Sequence, residues 1–145
     1  MSMDLYVFVD HSSPLTVLEW QQAADASHFP LRLDKSIDLK TFGGFFPVVL
    51  KNKKTGFYFE NADVGELGNG IPGMPRLRST AAYDFTFGGH FLEGASAYYL
   101  AAALVVSFNG RAFDPESGKW LDSKELKRIA GELETMGASE KGITE

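Results

Sequence analysis

The sequence predicts an α+β domain: a mixed, mainly antiparallel sheet of about five or six strands, with two or three helices packed chiefly on one face. Three observations carry this. Leu92 to Phe108 is apolar nearly all round, as in a helix buried on most of its sides. Phe45 to Lys51 and Phe57 to Asn61 are two strand-like runs joined by a polar turn, Asn52 to Gly56. After the apolar helix, Arg111 to Phe113 and Lys119 to Leu121 are short strand-like pieces on either side of Asp114-Pro115-Glu116-Ser117-Gly118.

The elements follow in chain order. Asp4 to Asp10 (DLYVFVD) is rich in β-branched and aromatic residues, which suits a central strand. His11 to Pro14 turns the chain. Thr16 and Glu19 are spaced as a capping box, and Leu15 and Trp20 as its hydrophobic staple. A helix is expected from Val17 to Ser27, burying Leu18, Trp20 and Ala24. Leu31 to Leu33 alternates like a brief strand after Pro30, and Asp34 to Thr41 is a polar connection anchored by Ile37 and Leu39. In the hairpin that follows, Phe57 and Phe59 share one face and Tyr58 the other. Ala62 to Thr80 holds Gly65, Gly68, Gly70, Pro72, Gly73 and Pro75, which oppose any long helix or strand, while Leu67, Ile71, Met74 and Leu77 draw part of it back onto the body.

Ala81 to Phe87 is the strand that feeds the apolar helix. That helix is about fifteen apolar residues beyond Glu93, short of the ~20 needed to cross a bilayer. Its small residues Gly94, Ala95, Ala97 and Ala101 would admit a sheet close to the backbone, and Asn109-Gly110 supplies a left-handed stop. Asp122 and Glu125 open a last helix with Leu126, Ile129, Ala130 and Leu133 on one face, ended by Gly137. Residues 1–137 are expected to form one domain, and 138–145 a disordered tail.

Composition narrows the function. Hydrophobic content of 44% with 12 Phe indicates a filled interior. No Cys is present, which excludes disulfides, thiolate metal sites and cysteine nucleophiles. A net charge of −5 argues against general nucleic-acid binding and suits a basic partner. No basic and apolar leader is visible at the N-terminus, so none is expected.

Each candidate for chemistry has a plainer counterpart. Gly88-Gly89, between a strand and a helix, could offer backbone N–H groups to an anion or simply make a tight turn. The third Gly of a dinucleotide site and the Lys of a phosphate loop are both missing. His90 and Glu93 share the first helical turn, and with Asp84 or His11 they could form an acid–base or metal cluster. The counterpart is a Glu favouring the helix N-terminus, with His90 beside it. His11 and His28 lie beside turns, where packing or surface roles are expected. Ser12, Ser13, Ser96 and Ser107 lack a nucleophile elbow. Asp10, Asp84 and Asp114 sit near strand ends, and Trp120 could anchor a partner or cap the core beside the last helix. No catalytic residue, metal or cofactor is assigned.

The stretches TVLEWQQAADASHFPLRLD, GGFFPVVL with TGFYFEN, and FTFGGHFLEGASAYYLAAAL followed by FDPESGKWL span roughly Leu5 to Leu133. Their arrangement resembles a loose group of small bacterial α+β proteins, some of them similar to toxin-immunity proteins. The resemblance implies a bacterial, cytoplasmic protein that acts through a surface, and it brings no functional residues with it. The expected function is non-enzymatic binding of a basic, toxin-like protein, with Glu60, Asp63, Glu66 and Trp120 on the partner surface. The alternative is a small-molecule or anion-binding domain, or a hydrolase, built from Asp84, Gly88, Gly89, His90 and Glu93 under the 62–80 loop. Self-association through an exposed edge strand is a third reading. No nucleic-acid or membrane partner is expected.

Overall fold

A computed structural model describes residues 2–11, 13–72 and 81–141. The strands are β1 (Ser2–Val9), β2 (Leu31–Leu33), β3 (Gly44–Leu50), β4 (Lys53–Ala62), β5 (Ala81–Gly88), β6 (Arg111–Asp114) and β7 (Lys119–Leu121). The helices are α1 (Val17–Ala26), α2 (Val64–Gly68), α3 (Phe91–Ser107) and α4 (Ser123–Met136). The fold class is the expected α+β. All the predicted strand segments join one seven-stranded sheet, ordered β2-β3-β4-β5-β1-β6-β7, and every pairing is antiparallel.

Alternation along the strands divides the sheet into two unlike faces. Leu5, Val7, Val9, Phe57, Phe59, Tyr83, Phe85 and Phe87 point to the face that carries α1, α3 and α4 and form the main core. α3 crosses this face, and its residues from Leu92 to Leu104 are almost all buried, whereas Val106 in its last turn is 54% exposed. α1 is held by the predicted capping box: Thr16 Oγ1 accepts from the Glu19 N–H at 3.1 Å, and Glu19 accepts from the Thr16 N–H at 3.0 Å. Its buried stripe is Val17, Trp20, Gln21 and Ala24, the i, i+3, i+4, i+7 set. Leu18, expected inside, lies off that stripe and is 51% exposed. Gln21 takes the place instead. Its amide donates to Leu31 O at 2.9 Å and accepts from the Leu33 N–H at 2.8 Å, satisfying backbone groups of the edge strand β2.

Two predicted turns differ in detail. The hairpin reverses at Lys51-Asn52, both at positive φ (48° and 71°), a two-residue turn whose twist matches the strands. Gly56 is therefore inside β4. A Cβ there would lie 2.2 Å from Phe46 O and 2.8 Å from the Phe45 ring, so glycine is required by close approach. After α3 the left-handed residue is Asn109 (φ 49°), while a Cβ on Gly110 would crowd Phe8 O at 3.0 Å. Gly94 likewise faces Leu133 of α4 more closely than the sheet. Residues 138–141, expected to begin a tail, lie on the body: Ala138 O accepts from Lys53 Nζ at 2.8 Å. Residues 142–145 of that expected tail, and 73–80 of the glycine-rich loop with Met74 and Leu77, lie outside the described residues.

Trp20 joins the helices to the sheet. It is fully buried, stacks on Phe46 at 5.2 Å, and meets Phe57, Phe59 and Phe85 at 5.7 to 6.4 Å. Its indole N–H donates to Leu100 O of α3 at 3.0 Å. Replacing Trp20 by Phe is expected to cost about 1–2 kcal/mol, and by Ala about 3–5 kcal/mol, because a cavity opens as well. Urea unfolding of both variants measures this, and an Ala loss no larger than the Phe loss would contradict the assignment.

Candidate functional site

The face of the sheet opposite the three long helices is part apolar and part acidic. At one end Phe8, Ala82 and Phe113 are buried beneath Val64, Leu67, Ile71 and Trp120. Trp120 packs on Phe113 at 5.0 Å and Phe8 at 5.9 Å, and its Nε1–H donates to Pro72 O at 3.2 Å. The expected cap beside the last helix does not fit: Trp120 lies across the sheet from α4 and pins the segment that follows α2. Strand parity decides this, because Leu121 takes the helix-side position.

Beyond that apolar patch, the register lines up Glu60, Asp84 and Tyr6 in one row, and Tyr58, Thr86 and Asp4 in the next. All six side chains project from the helix-free face. Thr86 Oγ1 donates to Asp4 Oδ1 at 2.8 Å. Asp84 is half-buried, and its Oδ1 is shut off from solvent without a hydrogen-bond partner. Burial first, then hydrogen bonding with Asp4, then the charges of Asp4 and Glu60 push the Asp84 carboxyl from 3.8 up to about 7. The Tyr6 hydroxyl is also raised, by burial and then by Asp84 and Asp4. Glu60 leans the other way, over Gly43, where a Cβ would fall 2.8 Å from its Oε2. Among the described residues no three His, Asp or Glu side chains are grouped to hold a metal ion. Asp4, Glu60 and Asp84 make no ion pair among the described residues.

The other expected binding residues sit elsewhere. Gly88, Gly89 and His90 lie at the end of β5 beside a groove of about 370 Å3 walled mainly by Met3, Phe87, Tyr98, Ile129 and Leu133. Gly89, at φ 78°, makes the turn into α3. An anion does occupy the start of α3, and the chain provides it. The Glu140 carboxylate accepts from Phe91 N–H and Leu92 N–H, both at 3.0 Å, with His90 Nδ1 3.8 Å away. Glu93 accepts from Gly88 N–H at 3.2 Å, and burial, which outweighs that bond, raises its carboxyl. Asp84 shares a strand with this corner but faces away from it. The described part of the 62–80 loop packs near Ala82, at the opposite end of β5. Asp63 caps α2 by accepting from Glu66 N–H at 2.9 Å, and Glu66 is exposed.

A third place surrounds His11, for which the sequence offered a packing or surface role or a cluster with His90 and Glu93. His11, past the end of β1, places Nε2 3.1 Å from Glu19 Oε2 and its ring 4.8 Å from that of Phe108. Its Nδ1 meets the Ser13 carbonyl. With Asp10, Leu39, Lys40, Asn61 and Tyr83 it lines a cavity of about 760 Å3. Antiparallel pairing of β1 and β5 puts His11 and His90 at opposite ends of the sheet, so they form no cluster. Burial, then the charge of Glu19, pushes the Tyr83 hydroxyl up to about 12. Ser96 is buried and donates to Glu93 O at 2.9 Å, as its place in an apolar helix suggested. No helix among the described residues is long and apolar enough to cross a membrane. Comparison with protein-family models, curated proteins and solved structures returns no match.

Two measurements check these electrostatics. In the folded state Asp84 holds its proton up to about pH 7, whereas in the unfolded chain it releases it near 3.8. Its favourable contribution is therefore complete below about pH 4 and lost as pH rises through about 7. Asp84→Asn should match the wild type near pH 4 and exceed it near pH 8. Solvent screening of a half-open carboxyl leaves about 1 kcal/mol, roughly 3 °C in thermal unfolding. A variant equally or less stable near pH 8 would contradict the repulsion. Separately, Glu140→Ala should lose about 1 kcal/mol by urea unfolding, and Glu140→Gln less, since an amide oxygen still accepts one N–H. No loss in Glu140→Ala would mean that its carboxylate does not cap α3.

Proposed function

We propose that this chain is a non-enzymatic protein-binding module of the toxin-neutralising, immunity-like kind, and that its partner is basic. The observation that carries the reading is the acidic half of the helix-free face. Three carboxylates, Asp4, Glu60 and Asp84, stand on adjacent strands with no cationic side chain of the described chain paired to them. Two tyrosines lie among them, Tyr6 and Tyr58, and Tyr58 is 56% exposed. Rigid aromatics with charge at the margin are what tight protein interfaces use. An Arg or Lys from a partner would supply the counter-charge that Asp4, Glu60 and Asp84 lack among the described residues, and would relieve the repulsion among the three carboxylates.

Glu60 and Trp120 of the expected partner surface lie on this face, and Asp63 and Glu66 on the helix at its border. Asp84 joins them from the other candidate set. An enzymatic reading draws less support. The His11 ring is engaged by Glu19 and by the Ser13 backbone, so it is poorly placed to take a proton from a substrate.

The product of the adjacent gene is the first partner to test, by calorimetric titration and by growth protection on co-expression. Binding is expected to weaken with salt and to fall at least about tenfold in the triple variant D4N/E60Q/D84N, with protection lost. Undiminished binding by the triple variant, or absence of both binding and protection, would overturn the proposal.

A further inference from the structure

The cavity past the end of β1 lies on the helix-bearing side, away from the acidic face. Its walls are fixed by groups already committed elsewhere. Glu19 belongs to the capping box and holds His11 at 3.1 Å, while the Asn61 amide donates to Leu39 O at 2.7 Å and braces the 34–43 connection. Leu15 and Leu39 add buried apolar surface. At about 760 Å3 the space has the size of a small-molecule site.

Three polar groups on this cavity have no partner among the described residues. Tyr83 is only 3% exposed, yet its hydroxyl makes no hydrogen bond to them. The hydroxyl is not sealed off from solvent, so it opens toward the cavity that Tyr83 lines, where a ligand can bond it. Asp10 and Lys40 line the same space, and neither joins an ion pair with the other or with any other described group. An anionic residue, a cationic residue and a neutral hydroxyl donor thus line one cavity.

We infer that this cavity binds a small zwitterion of the amino-acid class. Asp10 receives the ammonium group, Lys40 and the Tyr83 hydroxyl hold the carboxylate, and the Leu15 and Leu39 walls take an apolar side chain. A simple anion would meet Asp10, and a simple cation would meet Lys40. A neutral sugar would leave both charges without a counter-charge in a partly enclosed space.

The test is ligand-observed NMR on the purified chain with the proteinogenic amino acids singly, their N-acetylated amides, and glucose. Saturable binding of at least one free amino acid is expected, with no binding of its blocked form or of glucose. Tyr83→Phe, Asp10→Asn and Lys40→Met should each weaken it about tenfold or more, the loss of one hydrogen bond to a charged group. Tyr83→Phe removes a hydroxyl that holds nothing inside the protein, so its unfolding temperature should equal that of the wild type. The site is overturned if no free amino acid binds, if blocked forms or glucose bind equally well, or if Tyr83→Phe and Asp10→Asn bind as the wild type does. None of these outcomes depends on the protein partner, since the two surfaces lie on opposite faces of the sheet.

Discussion

The indole of Trp20 is the contact on which the helix-bearing face depends. It lies at the meeting point of α1, α3 and the β3–β4–β5 strands, stacked among four phenylalanines. Packing alone would bury it, but its N–H needs a partner in the interior, and Leu100 O lies at 3.0 Å. That bond sets where α1 lies along α3. The capping box fixes the start of α1, and Gln21, one residue beyond Trp20, reaches the edge strand β2. A single turn of helix thereby ties local capping, core packing and sheet closure together. α4 is secured from the other end: Glu140 caps α3, and Tyr99 donates to Glu134 at 2.6 Å. Burial pushes the Glu134 carboxyl up, but bonds from Lys51 and Tyr99 outweigh it and leave it below its ordinary value.

The two faces of the sheet obey different rules. On the helix side nearly every buried polar group is satisfied, as a close-packed interior demands. On the opposite face Asp84 keeps an oxygen buried and unbonded, beside two further carboxylates. In a domain whose whole stability is about 5–15 kcal/mol, an arrangement that costs about 1 kcal/mol is tolerable but not neutral. Sites that bind often carry such local costs, because the group that would relieve them belongs to the partner. The apolar end of the same face is covered by the chain itself, through α2, Ile71 and the Trp120 bond to Pro72. Only the acidic half is left uncovered by these groups.

The candidate site was legible in pieces and misjudged as a whole. Helix N-termini attract anions, and the start of α3 does hold one, but Glu140 lies 48 residues beyond Leu92, and no local pattern links them. Asp84 stood out as a carboxylate near a strand end, yet strand parity turns it away from Gly88–Glu93 and toward Asp4, whose position in the chain is 80 residues earlier. Glu60 was named for its charge and falls in the row of Asp84 through strand register. His11 was read only as a turn-side residue or a partner for His90 and Glu93, and Tyr83 carried no signal at all. The cavity they line exists because the 34–43 connection folds over the end of the sheet, a path that its polar sequence does not encode.

What the sequence by itself determined was local. The periodicity of α3, the Thr16–Glu19 capping box, the split of Phe57 and Phe59 from Tyr58, and the Asp122 cap all follow from spacing. The energies behind them act between residues a few positions apart. Which face of the sheet the helices cover, and therefore which carboxylates lie on the other without an ion pair among the described residues, was decided only by tertiary structure. Strand register is a collective outcome of burying Trp20 and its phenylalanines. Once that apolar set chose the helix side, alternation sent Asp4, Glu60 and Asp84 together to the face opposite.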